Sequence, residues 1–335
     1  MINSNEHNVR VLLARRPVGA PTEADFNIVE EPQAALAEGE LRVRGQWLSL
    51  DPYMRGRMNE RKSYVKPVDV GAVMCGEVVG EVVESRNPVF AVGDLVAGDL
   101  GWQTLPVSNG VGLRKLLPGV PPAAQLSVCG MPGITAWCGL MLIGDPKPGE
   151  TVVVSGAAGA VGGVVGQIAK LKGCRAVGIA GGADKCRYVV DELGFDACID
   201  YKAGRLREDL KAATPKGIDV YFDNVGGEIL DTVLTLMNPF SRMPVCGLIS
   251  QYNATEPYAL RNFGAVLVNR IKVQGFIVFD FKDQLRTAVG ELSGWLASGK
   301  LKYRETIADG IHSAPTAFIG LLNGANLGKQ LVRLG

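Results

Sequence analysis

The chain has 335 residues, 47% hydrophobic and 21% charged, a length that suggests about two domains of the usual ~100–200 residues. Its 35 basic and 34 acidic residues leave a formal charge of +1 with no long basic run, which argues against nucleic acid or an anionic membrane surface as a partner. Seven scattered cysteines without a CxxC pair, and a polar opening MINSNEHN that lacks the apolar middle of a signal peptide, fit a reducing, cytoplasmic setting.

In chain order, residues 9–128 read as short β segments with frequent turns: VRVLLA, FNIVEE, GELRVRGQWLSL, CGEVVGEVVES and VGDLVAG. That density of turns predicts a β-rich, partly barrel-like unit. The uncharged stretch 116–144 carries Pro118, Pro121, Pro122 and Pro132, which break any spanning helix. From Gly133 the texture changes. GITAWCGLMLIG reads as a buried helix, and an alternation follows: TVVVSG strand, GAVGGVVGQIAKLKG helix, CRAVGIAG strand, ADKCRYVVDELG helix, ACIDYK strand, RLREDLKAAT helix, IDVYFDNVG strand, GEILDTVLTLM helix, SRMPVCGLIS strand. Such alternation predicts an α/β fold with a doubly wound parallel sheet of the Rossmann type, covered by helices on both faces. After the strand-like run IKVQGFIVFDF and the helix DQLRTAVGELSGWLASG, the chain returns to β character at LKYRETIAD and ends in a helix and the strand KQLVRL. The expected domains are therefore a discontinuous β-rich one over 1–128 and 300–335, and a dinucleotide-binding one over 129–299.

The strongest local signal is the strand–glycine–helix unit Thr151 to Gly173. Its turn, SGAAGAVG, spaces glycines as GxxGxxG rather than the commoner GxGxxG. Gly156 permits a tight turn, Gly159 lets backbone N–H groups approach a pyrophosphate, and Gly162 lets the helix pack closely on the strand. The helix N-terminus adds N–H donors and partial positive charge. NAD sites usually end their second strand with an acid that holds the ribose 2′-hydroxyl. Here that strand ends Ile179-Ala180-Gly181-Gly182, followed by Asp184, Lys185 and Arg187. An acid-free tip with a lysine beyond it suits the 2′-phosphate of NADP, so NADPH is the expected cofactor; the plainer reading is that Lys185 and Arg187 only solvate the next helix and Asp184 only caps it.

No metal is expected. The chain has two histidines, His7 and His312, and no Cys/His cluster with the spacing of a catalytic or structural zinc site. Without a Lewis acid, polarised acceptors such as enones become better substrates than ordinary alcohols.

The chain resembles the zinc-independent medium-chain dehydrogenase/reductase family that includes prostaglandin reductase (leukotriene B4 12-hydroxydehydrogenase), plant double-bond reductases and bacterial curcumin reductase. The matching runs are WLSLDPYMRGRM (47–58), GMPGITAWCGL (130–140), GETVVVSGAAGAVGGVVGQIAKLKGCRAVGIAG (149–181), LGFDACIDYK (193–202), YFDNVGG (221–227), CGLISQYN (246–253), GFIVFDF (275–281) and NLGKQLV (326–332). Where zinc-binding relatives carry a GHE-type run, this chain has Met74-Cys75-Gly76-Glu77. The resemblance implies a Rossmann domain beside a GroES-like β-rich domain. It also implies that Gly159, Ala160, Val161 and Gly162 cradle the pyrophosphate, and that Lys185 and Tyr201 contact the 2′-phosphate. Asn224, the run Cys246 to Tyr252 (Cys246, Gly247, Ile249, Ser250 and Tyr252 above all), Phe276, Ile277, Val278 and Asn326 complete the implied cofactor contacts. The family places a tyrosine at Tyr252 beside the substrate carbonyl, which makes it the candidate catalytic residue. Tyr64, in the loop-like SYVKP, and Tyr53, in DPYMR, are candidates for binding substrate.

The implied chemistry is NADPH-dependent reduction of the C=C bond of α,β-unsaturated ketones and aldehydes, with Tyr252 stabilising negative charge on the carbonyl oxygen. A quinone reductase on the same scaffold and a non-catalytic NADPH-binding sensor are the alternatives. A homodimer is expected, because the apolar run 271–281 lies near the sheet's end and an open edge strand tends to pair with its copy.

Overall fold

Alternating apolar residues set up the first sheet, and the computed structural model describes residues 6–335. β1 (His7–Leu13) lies antiparallel to β2 (Phe26–Pro32). β3 (Leu41–Ser49) pairs antiparallel with β4 (Glu77–Ser85), and the connection between them carries the short helix α1 (Tyr53–Arg57). β5 (Leu95–Asp99), β6 (Val107–Ser108) and β7 (Arg114–Lys115) follow.

The α/β part opens with α2 (Met131–Cys138), which has Pro132 in its first turn and widens into a π-turned segment, Gly139–Gly144, ended by Asp145 at φ 42°. Then strands and helices alternate: β8 (Thr151–Ser155), α3 (Gly162–Leu171), β9 (Arg175–Ala180), α4 (Ala183–Arg187), β10 (Ala197–Asp200), α5 (Leu206–Ala213), β11 (Ile218–Phe222), α6 (Gly227–Leu234) and β12 (Met237–Val245). Two short helices, α7 (Ile249–Tyr252) and α8 (Gly264–Val268), precede β13 (Lys272–Gly275), and α9 (Leu285–Ala297) ends this part. Among the described residues the sheet runs β10-β9-β8-β11-β12-β13, every pair parallel. β8 is buried along its whole length, as a strand covered on both faces must be. Between β8 and β11 the winding reverses, and such a switch point opens a crevice at the carboxyl ends of the strands.

The tail supplies β14 (Glu305–Asp309), α10 (Ala314–Leu322) and β15 (Lys329–Arg333). β15 joins the antiparallel sheet, whose order is β14-β15-β3-β4-β5-β7, with Leu331 opposite Ser49. The chain divides into two units. One takes the chain through Leu126 with Glu305–Asn326 and Gln330–Gly335; the other takes Ser127–Arg304 with Leu327–Lys329. In the β-rich unit, the buried Phe318 of α10 packs edge-on against Trp102 at 5.5 Å and against Phe26 at 6.4 Å, so the tail completes that core. The α/β unit has its own core, built from Val153, Val177, Ile179, Tyr221, Val233 and Met243 among others. No helix among the described residues is long and apolar enough to cross a membrane.

Three expected strands are shorter than their apolar runs. SRMPVCGLIS leaves the ladder after Val245, because the N–H groups of Cys246 and Gly247 both turn to the carbonyl of Asp223 (2.8 and 3.2 Å). ACIDYK ends at Asp200, whose side chain accepts from the Lys202 N–H and starts a 3-10 turn over Tyr201–Ala203. IKVQGFIVFDF is a strand only over Lys272–Gly275. Phe276 then turns inward onto Phe222 (6.2 Å), and a 3-10 segment runs from Val278 to Gln284.

Candidate active site

β8 delivers the chain to Gly156 at φ +65°, a left-handed conformation that side chains rarely adopt. The chain then doubles back, the Gly159 N–H donating to the Gly156 carbonyl at 2.9 Å. α3 starts at once at Gly162, so close that a Cβ there would lie 2.3 Å from the Gly156 oxygen. The turn Gly159-Ala160-Val161 is half-exposed at the N-terminus of α3, and the N–H groups of Gly163, Val164 and Val165 donate back to the carbonyls of Gly159 and Val161 (3.0–3.1 Å). The N–H groups just ahead of them, at Ala160, Val161 and Gly162, are those a helix start leaves without a helical partner, and they fit a pyrophosphate.

The tip of β9 is free of acid, and the nearest carboxylate is on the neighbouring strand. Asp200, at the end of β10, accepts from the N–H groups of Gly182 (2.8 Å) and Lys202 (2.9 Å) and thereby fixes both tips. Tyr201 and Lys202 fold over Gly181: a Cβ there would lie 2.9 Å from the Tyr201 ring and 3.0 Å from Lys202 Cε. Lys185, half-buried on α4, has its pKa pushed down by burial and by the charge of Lys202. Tyr201 and Lys202 thus cover one glycine, with Lys185 close enough to Lys202 to feel its charge. Lys202 was not singled out in the sequence. Its only signal there is its place after Tyr201 at a strand end, and only the pairing of β10 with β9 brings it beside Gly181.

On the other side of the switch point, Asn224 spans the crevice. Its backbone N–H donates to Ser155 Oγ (2.9 Å) and its side-chain amide to the Ser155 carbonyl (2.7 Å). The run Cys246 to Tyr252 lies against it, with the Ile249 N–H on the Asn224 carbonyl (3.2 Å) and the Ser250 N–H on the Val225 carbonyl (3.1 Å). Burial and the charge of Asp223 push the Cys246 thiol up to about 12, so it stays neutral. The Tyr252 hydroxyl oxygen accepts from the Leu248 N–H at 3.4 Å and lies next to Gly247, where a Cβ would be 3.1 Å from it. Phe276 and Val278 are buried, with Ile277 half-buried between them.

Three sequence-derived candidates belong to the β-rich unit. Tyr53 opens α1 and packs on that unit's hydrophobic core; burial and the charge of Asp51 push its hydroxyl far above the usual range. Tyr64 is exposed in a loop, and Asn326 is buried after α10. The same unit has a cleft of about 340 Å³ lined by Arg57, Asp69, Met74, Cys75, Asp99 and Gln103 among others, and neither Tyr53 nor Tyr64 lines it. Arg57 Nε there is buried without a hydrogen-bond partner among the described residues. No group of three or more His, Cys, Asp and Glu among the described residues is placed to hold a metal ion.

Residues 10–116 match the family described as the N-terminal domain of oxidoreductase, and residues 160–294 match the one described as zinc-binding dehydrogenase. The chain is 49% identical to the NADPH-dependent curcumin reductase of Escherichia coli (strain K12), covering 100% of this chain and 99% of that one. It belongs to the zinc-independent medium-chain dehydrogenase/reductase family. Within this family it is also 42% identical to prostaglandin reductase 1 of Bos taurus, over 96% of this chain and 97% of that one. The crystal structure of CurA in complex with NADPH from Vibrio vulnificus superposes with a TM-score of 0.92 at 47% identity, covering 98% and 99% of the two chains.

Gly162→Ala tests the cradle. Forcing a methyl against the Gly156 carbonyl should cost about 1–3 kcal/mol, or roughly tenfold in dinucleotide affinity. NADPH and NADH should weaken by the same factor in fluorescence titrations, because both share the pyrophosphate.

Proposed function

We propose that this protein reduces the C=C bond of α,β-unsaturated ketones and aldehydes with NADPH. The observation that carries the reading is the glycine turn beside a strand tip that ends in glycines and lies under Tyr201 and Lys202, in a chain alike over its full length to an NADPH-dependent curcumin reductase. When bound, NADPH supplies the hydride, which goes to the β-carbon of the acceptor. The chain holds the cofactor by its pyrophosphate at Gly159–Gly162 and by its 2′-phosphate at Lys185, Tyr201 and Lys202. Asn224, Cys246, Gly247, Ile249, Ser250, Phe276, Ile277 and Val278 would line its remaining length. Tyr252 donates a hydrogen bond to the substrate carbonyl as negative charge develops there, and the Leu248 N–H on its oxygen strengthens it as a donor. A proton from Tyr252 or from water then completes the α-carbon. Tyr64 and Tyr53 act on the substrate side.

The deciding experiment is NADPH oxidation against a panel of enones, enals and quinones, with product identification and a chelator-treated arm. Saturated ketones formed at undiminished rate after chelation support the reading. Turnover of quinones alone makes the protein a quinone reductase, and tight NADPH binding without turnover makes it a sensor.

Burial and the charge of Lys202 disfavour the charged form of Lys185, and a bound 2′-phosphate offsets both, so the two lysines should discriminate for NADPH. Lys185→Ala should raise KM for NADPH about tenfold with much less effect on NADH, as loss of a charge-assisted contact implies. Lys202→Gln should act in the same direction. Equal changes for both cofactors refute the assignment. Tyr252→Phe removes only a hydroxyl and should lower kcat about tenfold while KM moves little. An unchanged kcat across several enones makes Tyr252 a wall of the pocket.

We also propose a cytoplasmic homodimer formed through the edge of the parallel sheet. β13 is its last strand, and the apolar residues Phe240, Leu267, Val268 and Val273 on the neighbouring segments are exposed, an arrangement that invites a second copy. Light scattering at micromolar concentration should give twice the 35.6 kDa chain mass, and Leu267→Asp should halve it.

A further inference from the structure

Asp223 follows β11 at the switch point and is fully buried. Its Oδ1 accepts from four donors: Tyr221 Oη (2.8 Å), Ser155 Oγ (3.0 Å) and the backbone N–H groups of Val225 and Gly226 (3.0 Å each). Its Oδ2 is buried and has no hydrogen-bond partner among the described residues. Its backbone carbonyl takes the N–H groups of Cys246 and Gly247. One residue therefore ties together three segments. Ser155 leads into the glycine turn, Val225 and Gly226 follow Asn224, and Cys246 begins the run that carries Tyr252. Ser155 Oγ bridges onward by accepting from the Asn224 N–H.

We infer that Asp223 is a positioning residue for the reaction, one that never touches substrate but sets the glycine turn, Asn224 and the Tyr252 segment in register across the crevice. The inference rests on the cofactor site proposed above. Burial pushes the carboxyl pKa up from its ordinary value, and the Gly226 and Val225 N–H groups pull it back. A carboxylate so placed is costly unless donors converge on it, and here four converge on a single oxygen. The arrangement is more than a turn requires. An Asx turn needs only the N–H two residues on, whereas the contacts to Ser155 and Tyr221 reach across to a neighbouring strand and back along β11.

The experiment compares Asp223→Asn, Ser155→Ala and the double variant with wild type. It measures kcat and KM with NADPH and NADH on one enone, and the affinity for 2′-AMP, which lacks the 5′-phosphate and so probes only the adenosine end. Asp223→Asn should lower kcat/KM about tenfold for both cofactors, within the ~100-fold that a 1 Å misplacement can cost. The NADPH-over-NADH preference and 2′-AMP binding should stay within about twofold of wild type, because the Lys185–Lys202 seat lies on the other side of the sheet's switch point. Ser155→Ala, which removes one neutral donor and spares the charge, should show the same pattern at smaller size. The double variant should lose little beyond Asp223→Asn, as two members of one network do. Wild-type kinetics in Asp223→Asn, a parallel loss of 2′-AMP binding, or additive losses overturn the inference. If Asp223→Asn fails to fold, the Ser155→Ala pattern decides alone. If the wild type binds no NADPH, the proposed cofactor site fails and the inference falls with it.

Discussion

The structure of the α/β unit depends on how near α3 comes to β8. The Gly156 carbonyl and the first residue of the helix are separated by less than any side chain allows, and that closeness aims the helix N-terminus at the crevice. Everything else at the site is arranged around that fixed point. β11 lies beside β8 because the winding reverses there, and the segments after β11 and β12 are hydrogen-bonded back toward Ser155 through Asp223 and Asn224. A site built on the ends of central buried strands inherits their rigidity, which suits a reaction that needs hydride donor and acceptor held in register.

The two ends of the proposed cofactor site are held by different physics. At the pyrophosphate, backbone geometry excludes side chains and presents uncharged donors. At the tip of β9, the structure gathers like charges instead, with Lys185 pushed down by burial and by Lys202. Burial first and the charge of Lys202 second disfavour the charged form of Lys185, and an anion bound there would favour it.

The α/β class and the parallel sheet were legible in the sequence because strand and helix periods alternate cleanly from Thr151 to Val245. Family motifs, rather than periodicity, pointed to Tyr201, Asn224 and the run through Tyr252. What stayed hidden depends on neighbours distant in the chain. Apolar runs overstated β10, β12 and β13, since a run does not reveal where a carbonyl such as that of Asp223 captures the next N–H groups and ends the ladder. Neither Lys202 nor Asp223 stands out in the sequence. Only strand pairing gives the first its place beside Gly181, and only burial gives the second its four donors.

The pairing of β15 with β3 has a consequence for synthesis. Ser49 leaves the ribosome long before its partner Leu331 is made. At ~5–20 residues per second the Trp47–Ser49 end of β3 waits on the order of 15–60 s for its ladder to close. Throughout that interval the whole α/β unit is being made, and its largely local βαβ contacts can form as they emerge. The β-rich unit therefore closes after the α/β unit although its synthesis starts before it, with an unpaired strand end exposed to other nascent chains in the meantime.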